Sequence, residues 1–108
     1  MQVIRKDPGK PPKLVEIPNT LKALQQAVGG YIETVSFCKD ALVICNEEGL
    51  LMGLAPNCSF LGIPFVGTIL IVGRSGEEFC SLSHTAQQLI LSQLGTGEQP
   101  RTYREEYK

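Results

Sequence analysis

The sequence predicts a single α+β domain: a mainly antiparallel sheet of five to seven strands with two helices packed on it. The chain has 108 residues, which suits one domain. Its hydrophobic content of 43% and charged content of 19% are typical of a globular protein. Strand-like segments follow one another across short turns, which favours antiparallel neighbours. We place the domain at residues 1–94 and expect residues 95–108 to form a flexible or loosely docked tail.

The chain opens with a predicted hairpin followed by a short helix. "MQVIRK" and "KLVEI" flank the turn cluster "DPGKPP", so residues 2–17 should pair as two strands. "PNTLKALQQAVGG" has apolar residues at helical spacing, with Asn19 or Thr20 as the N-cap and Gly29 as the C-terminal stop. A helix this short needs a sheet to pack against.

Two nearly continuous apolar runs, at residues 41–45 and 68–72, predict the central strands. "YIETVSF" is a strand that precedes the first run, and "LLMGLA" is predicted to be a strand with a glycine bulge. "PNCSFLGIPF" is not expected to be regular structure throughout, because prolines and a glycine interrupt it. "RSGEEFC" contains a turn and a short strand, and Ser83 caps a final helix, "HTAQQLILSQL".

The arrangement of helices also bears on self-association. If one face of the sheet lacked a helix, a second copy could cover it, because an exposed apolar sheet usually has a partner. We therefore predict a homodimer.

Charge and targeting signals exclude several classes of protein. The net charge is −1, which gives no overall attraction to nucleic acid or to anionic membranes. Residues 1–22 hold five basic and two acidic side chains, whereas residues 23–100 hold two basic and seven acidic ones. The basic start favours self-association or a phosphate contact, unless it is simply a solvated surface. No apolar run is long enough to cross a bilayer.

The four cysteines indicate a reducing compartment and no metal site. None forms a C-x-x-C pair, and the single histidine does not lie near them at a zinc-binding spacing. The chain also starts without the apolar segment of a signal peptide. We expect a cytoplasmic protein without cofactors.

Candidate catalytic residues are few, so we do not expect an enzyme. His84 lies at the start of the last helix, where a solvated histidine is the commoner case than a general base. The Glu-Glu pairs at 47–48 and 77–78 lie in glycine-containing turns, where solvated charge is usual. Cys80 and His84 are poorly spaced for a nucleophile and its base.

A ligand-binding site is better supported. Arg74 follows a core strand and could hold a phosphate, or it could pair with Glu77 or Glu78. Tyr31 follows two glycines, so its ring could stack on a base at an exposed corner or lie half-buried in a strand.

Five further residues complete the predicted site. Asn46 and Asn57 could read the edge of a base or form local Asx turns. Phe60 could form a pocket wall or fill the core. Gly67 would permit a close backbone approach, and Thr68 would offer a hydroxyl.

Three blocks of sequence carry a resemblance to a known family. "IPNTLKALQQAVGGYIETV", "ICNEEGLLMGLAPN" and "VGTILIVG…GEEFCSLS" resemble a family of small domains of unknown function found in phages and conjugative elements of Gram-positive bacteria. The resemblance covers most of residues 13–83 and carries no catalytic residues with it.

The resemblance implies a setting in the cytoplasm of a bacterial host cell. Small phage proteins without catalytic groups are often structural, regulatory or anti-defence proteins. We expect a non-enzymatic anti-defence protein that binds and sequesters a nucleotide second messenger, either a cyclic dinucleotide or a cyclic ADP-ribose derivative. The alternative is a protein-binding inhibitor of a bacterial defence complex or another phage interaction module.

Overall fold

The computed structural model describes residues 1–60 and 62–94, and within them it confirms the predicted α+β fold. The predicted tail, residues 95–108, lies outside the described residues. The elements follow in the order β1 (Gln2–Lys6), β2 (Lys13–Glu16), α1 (Leu21–Val28), β3 (Ile32–Cys38), β4 (Ala41–Asn46), β5 (Pro56–Phe60), β6 (Ile63–Val66), β7 (Ile69–Ser75), β8 (Glu78–Cys80) and α2 (His84–Leu94).

Six of these strands form one antiparallel sheet, five of them in the order β2-β1-β7-β4-β3. The short strand β8 pairs with the end of β7, and β5 and β6 form a separate two-stranded hairpin. Every residue of β4 is buried, as are the first five residues of β7. The two apolar runs are therefore the central strands, as predicted.

The two helices cover opposite faces of the sheet. On one face, Leu24 and Val28 of α1 pack on Leu42, Ile44 and the alternate residues of β7. On the other face, α2 and the β5–β6 hairpin together enclose the larger core cluster. The uncovered face that motivated the homodimer is thus absent from the described part of the chain, and the oligomeric state stays a prediction.

The predicted helix ends are confirmed. Thr20 Oγ1 accepts a hydrogen bond from the Ala23 amide at 3.1 Å, and Ser83 Oγ accepts one from the Ala86 amide at 3.1 Å. Gly29 ends α1 in the left-handed conformation, with a φ of 83°.

One prediction for the middle of the chain was wrong. The segment 50–55, predicted to be a strand, forms consecutive turns in which the Met52 amide donates to Glu48 O and the Leu54 amide donates to Gly49 O. The next segment, which was predicted not to be regular throughout, contains the short strands β5 and β6, with Gly62 in the turn of this hairpin at a φ of 79°. Prolines fit there because each strand of an isolated hairpin has a free outer edge, where no amide donor is needed.

A buried lysine connects this hairpin to the main sheet. Lys6, the last residue of β1, has no exposed surface. Its Nζ donates to Asn57 Oδ1 and to Asp7 O, both at 3.1 Å. Asn57 Nδ2 donates in return to Lys6 O and to Gly67 O, both at 2.7 Å. We call the pair Lys6 and Asn57, with these four bonds, the polar lock.

A second polar contact lies beside the lock. The hydroxyl of Thr68 donates to Asp7 Oδ1 at 2.6 Å, and Arg5 Nε pairs with the same carboxylate at 3.1 Å. These bonds fix the end of β1 against the start of β7, while the lock holds β5 and the link between β6 and β7. The hairpin is therefore held by directed bonds as well as by core packing.

The polar lock predicts an asymmetric response to mutation. Asn57→Ala should lower the free energy of unfolding by roughly 2–4 kcal/mol, because it removes one of the two acceptors of a buried ammonium and the side-chain donor of two carbonyl groups. Lys6→Met in the Asn57→Ala background should recover part of this loss by removing the buried charge. Urea unfolding of the two single variants and the double variant measures both effects. A change below about 0.5 kcal/mol for Asn57→Ala would contradict the lock.

Candidate functional site

A cleft of about 440 Å³ lies between the edge of the main sheet and the β5–β6 hairpin. Its size falls within the range of ligand-binding clefts. One wall comes from β3 and the end of β4, the floor and rim from the loop after β4, and the opposite wall from β6. Its lining residues are Glu33, Val35, Cys45, Asn46, Glu47, Glu48, Gly49, Leu50, Leu51, Ile63, Pro64, Phe65 and Val66. We call this the acidic cleft.

Asn46 holds the loop that forms the rim. Its side chain is buried; Nδ2 donates to Val28 O at the end of α1 at 3.1 Å, and Oδ1 accepts from the Glu48 amide at 2.7 Å. The second bond is an Asx turn, which sends the chain sharply out of β4. The loop is thus anchored to the end of a helix.

Close backbone packing joins the same loop to the hairpin. A Cβ added at Gly49 would lie 2.8 Å from Val66 Cγ2, and one added at Gly67 would lie 2.7 Å from Leu54 Cδ1. Gly67 also has a φ of 74°, which side chains other than glycine rarely adopt. Glycine at these positions lets the loop and β6 approach closely enough to form one continuous cleft.

The loop displays three consecutive apolar side chains. Leu50 and Leu51 are 84% and 89% exposed, and Met52 is about half exposed. The hydrogen bonds within the loop fix its turns, so this apolar group is presented on an ordered backbone. A contiguous exposed apolar group of this kind is typical of an interaction surface.

The charges of the acidic cleft all have one sign. Glu33, Glu47 and Glu48 are its charged lining residues, and all three are exposed. Burial, with a smaller effect from the charge of Glu33, raises the pKa of the Cys45 thiol to about 11. That thiol is consequently protonated at neutral pH and a weak nucleophile. The cleft is chemically suited to a ligand that is apolar and positively charged.

A second, smaller cleft of about 270 Å³ lies farther along β3 on the same face of the sheet. Phe37 and Phe60 meet there edge to face, with ring centroids 5.1 Å apart. Leu89 of α2 is 62% exposed at its rim. The lining residues are Phe37, Cys38, Ala41, Phe60, Ala86, Leu89, Ile90 and Gln93. We call this the apolar cleft.

The structure uses four of the predicted ligand-binding residues in internal contacts. Asn46 forms the Asx turn that the sequence left open as an alternative, and Asn57 belongs to the polar lock. Gly67 O and the Thr68 hydroxyl are both engaged in the contacts described above. Phe60 is buried and also borders the apolar cleft. Ligand binding by these residues stays a prediction.

Tyr31 and Arg74 do not join the other predicted residues in one pocket. Tyr31 is 66% exposed, at the corner that precedes β3. Arg74 lies at the far end of β7, where its amide donates to Asp40 O at 2.9 Å. Thr68 and Arg74 are separated by the length of the strand, roughly 20 Å at about 3.3 Å per residue. Within the described residues Arg74 forms no ion pair with Glu77 or Glu78.

Among the predicted site residues, Asn46 alone lines the acidic cleft, and sequence reasoning missed the three carboxylates of the cleft. The pair at 47–48 was interpreted as solvated turn charge, and Glu33 was given no role beyond its place in a strand. The available signal was the juxtaposition within "NEEGLLMG" of two carboxylates and three large apolar residues. An apolar triplet inside a turn has no core to enter, which favours a binding surface.

The groups expected to be solvated are solvated. His84 is exposed, with one ring nitrogen 3.2 Å from Gln88 Nε2. Glu47 and Glu48 are exposed in turns, whereas Glu77 is exposed in a turn and Glu78 is exposed as the first residue of β8. Over residues 1–60 and 62–94, no group of three or more His, Cys, Asp and Glu side chains is arranged to hold a metal ion. In the same part of the chain, no helix has the length and apolar character needed to span a membrane.

Comparison with known proteins gives one match. The family described as "Domain of unknown function (DUF3846)" matches residues 1–95. Neither the curated proteins nor the solved structures contain a significant match. The matched range includes every residue of both clefts.

The thiols should differ sharply in reactivity. Cys38 is exposed, whereas Cys45 and Cys58 are buried, and burial raises the pKa of both buried thiols. With Ellman's reagent at pH 8, Cys38 should react rapidly, and Cys45 and Cys58 should react only after unfolding in guanidinium. Mass spectrometry of the labelled peptides identifies the order. Fast labelling of Cys45 in the native protein would contradict the described cleft.

The contact between Thr68 and Asp7 should make stability depend on pH. Partial burial raises the pKa of Asp7, but hydrogen bonds from Thr68 and Arg5 and the charges of Arg5 and Lys13 outweigh it, so the pKa lies below the usual 3.8. The contact therefore contributes above that value and is lost as the pH falls through the folded-state pKa. Thr68→Val should cost about 1–2 kcal/mol at pH 7 and less below pH 4, whereas Thr68→Ser keeps the hydroxyl and should cost less. Thermal unfolding of the wild type and both variants between about pH 2.5 and pH 7, a range that includes the usual pKa of an aspartate, measures this pH dependence.

Proposed function

We propose that this chain, which belongs to the DUF3846 family of unknown function, is a non-enzymatic module that binds a partner protein. The bound element would be a short segment that is both positively charged and apolar. The observation that carries this proposal is the composition of the acidic cleft, where three carboxylates stand beside the exposed Leu50 and Leu51.

Charge complementarity supports a basic segment. Lysine and arginine side chains have apolar stems and charged ends, so a mixed surface of leucines and carboxylates accommodates both parts. Such pairs at an exposed rim contribute more to the association rate and to specificity than to affinity. The apolar group at Leu50, Leu51 and Met52 would supply the burial that holds the complex together.

A metal ion and a phosphate fit the acidic cleft less well. The three carboxylates are not grouped closely enough to count as a metal site among the described residues. A phosphate needs cationic side chains or free main-chain amides, and none of the described residues that line the cleft is basic. The negative charge of the acidic cleft therefore favours a basic peptide over a nucleotide as its ligand.

The biological setting in this proposal comes from the sequence resemblance. In a phage or conjugative element of Gram-positive bacteria, the partner would be a protein of the host cytoplasm, for example a component of a defence complex. Inhibition of such a complex requires only tight and specific binding, which a cleft without catalytic groups can provide.

Sequestration of a nucleotide immune signal stays a prediction with a direct test. A thermal-shift screen against cyclic dinucleotides and cyclic ADP-ribose isomers would detect it, because a ligand at about 100 times its dissociation constant adds roughly 2.7 kcal/mol of stability. If a nucleotide stabilises the protein and Arg74→Ala and Tyr31→Ala abolish the shift, the nucleotide function replaces the peptide function proposed here.

Charge neutralisation tests the proposed function. Peptides would first be selected from a displayed library of random linear sequences against the immobilised protein. The triple variant Glu33→Gln, Glu47→Gln, Glu48→Gln should bind the selected peptides about tenfold more weakly, since each exposed ion pair contributes roughly 0.5 kcal/mol. The affinity of the wild-type protein should also fall as salt rises from about 50 to about 500 mM, because the Debye length shortens roughly threefold over this range.

The matched control removes charge elsewhere. Glu77→Gln with Glu78→Gln neutralises two exposed carboxylates, one in the turn after β7 and one at the start of β8, and neither residue lines a cleft. This variant should keep wild-type affinity within about twofold. Equal weakening in both variants would indicate a general effect of net charge. A selection that enriches no peptides, or only acidic ones, would overturn the proposal.

A further inference from the structure

The main sheet ends at β3, and this edge has no neighbouring strand in the described part of the chain. β3 pairs with β4 only, and it is seven residues long, whereas the other edge strand, β2, has four. Thr34 and Ser36 are exposed along it. An edge of this kind presents a row of hydrogen-bonding groups to which an extended peptide can add as a further strand.

The register of β3 on β4 identifies the groups that face outward. The Glu47 amide donates to Tyr31 O at 2.8 Å, in line with the ladder that pairs Glu33 with Cys45. In an antiparallel pair, residues that bond to the partner alternate with residues whose main chain points away. Glu33 and Val35 therefore bond toward β4. The main-chain groups that face away from the sheet are those of Ile32, Thr34 and Ser36.

Both clefts border this same edge. Glu33 and Val35 line the acidic cleft, and Phe37 lines the apolar cleft, all on the face covered by the hairpin and α2. Glu33 and Phe37 are four residues apart, or about 13 Å along the strand. Alternate side chains of a strand added beside β3 would lie over the two clefts in succession.

A bulge limits the length of the added strand. The pairing of β3 with β4 shifts register between Ser36 and Cys38. Bulges bend a strand and interrupt its ladder. Regular pairing along the outer edge should consequently extend over residues 32–36 and stop there.

We infer that the partner segment binds as a seventh strand of the six-stranded sheet, along the outer edge of β3. This inference rests on the proposed function and specifies its geometry. The segment carries a lysine or arginine opposite Glu33, a β-branched residue opposite Val35 and a large apolar residue that reaches the apolar cleft near Phe37. Cross-strand pairs of these types stabilise neighbouring strands.

Main-chain methylation of the ligand is the decisive test. Each amide of a selected synthetic peptide would be N-methylated in turn and its affinity for the wild-type protein measured by calorimetry. Methylation at every second position, where the amide faces β3, should weaken binding at least tenfold, and methylation at the positions between should change it by less than about threefold. A loss without this two-residue period would overturn strand addition.

A variant of the edge gives a second test. Thr34→Pro removes an outward-facing amide and places a ring where the peptide would lie, and proline is tolerated at such edge positions. Thr34→Val keeps the amide and serves as the matched control. We expect at least tenfold weaker peptide binding for Thr34→Pro and near wild-type binding for Thr34→Val. Circular dichroism and thermal unfolding establish whether both variants are folded. The methylation series uses the wild-type protein, so it tests the inference even if a variant fails to fold.

The outcomes separate this inference from the function on which it rests. If the carboxylate variants lose binding but methylation and Thr34→Pro have no effect, the cleft binds a basic segment without strand addition. If no peptide is selected, both proposals fail. If sedimentation shows a dimer that Thr34→Pro dissociates, the edge pairs with a second copy, and the assignment to a partner segment is wrong.

Discussion

The ammonium group of Lys6 is completely buried, and it meets an amide oxygen and a carbonyl oxygen in place of water. A buried charge without such partners would be strongly destabilising, so Asn57 must stay beside it. Asn57 belongs to the β5–β6 hairpin, and that hairpin supplies one wall of the acidic cleft. The position of the cleft wall therefore depends on a hydrogen-bonding requirement inside the protein. Core packing by Cys58, Phe60 and Phe65 adds area to this attachment but does not fix its direction.

The location of the proposed binding surface follows from the position of the sheet's last strand. Helices or the hairpin cover both faces, so within the described residues the main sheet is open at its two edges, and the edge at β3 is the longer one. The hairpin and the loop after β4 rise beside that edge and turn a flat border into a groove. The carboxylates determine which ligands the groove favours, and the exposed leucines give it an apolar component. Shape, charge and hydrogen-bonding capacity thus coincide at one border of the molecule.

The sequence was sufficient for the fold class, the central strands, the N-terminal hairpin and both helix caps, because periodicity and capping are local signals. It was misleading at residues 50–55, where apolar residues in sequence resemble a strand but the main chain bonds to itself. It also missed the lock, since nothing local pairs Lys6 with a residue 51 positions later. Asn46, Asn57 and Thr68 were chosen for their polar chemistry, and the fold directs that chemistry inward. Only tertiary contacts distinguish an asparagine that supports a turn from one that is free to bind a ligand.

The strand order also has a consequence for how the chain folds. β7 lies between β1 and β4, so the N-terminal strand pairs with residues 69–71. Such distant pairings slow folding, because a long loop must close before its contacts form. During synthesis the first hairpin would leave the ribosome well before its neighbour exists, while α1, β3 and β4 could already associate. Until β7 emerges, the apolar side of β1 and the ammonium of Lys6 remain in water. Completion of the nascent domain is thereby deferred to β7 and to the helix α2, which follows it and covers the larger core cluster.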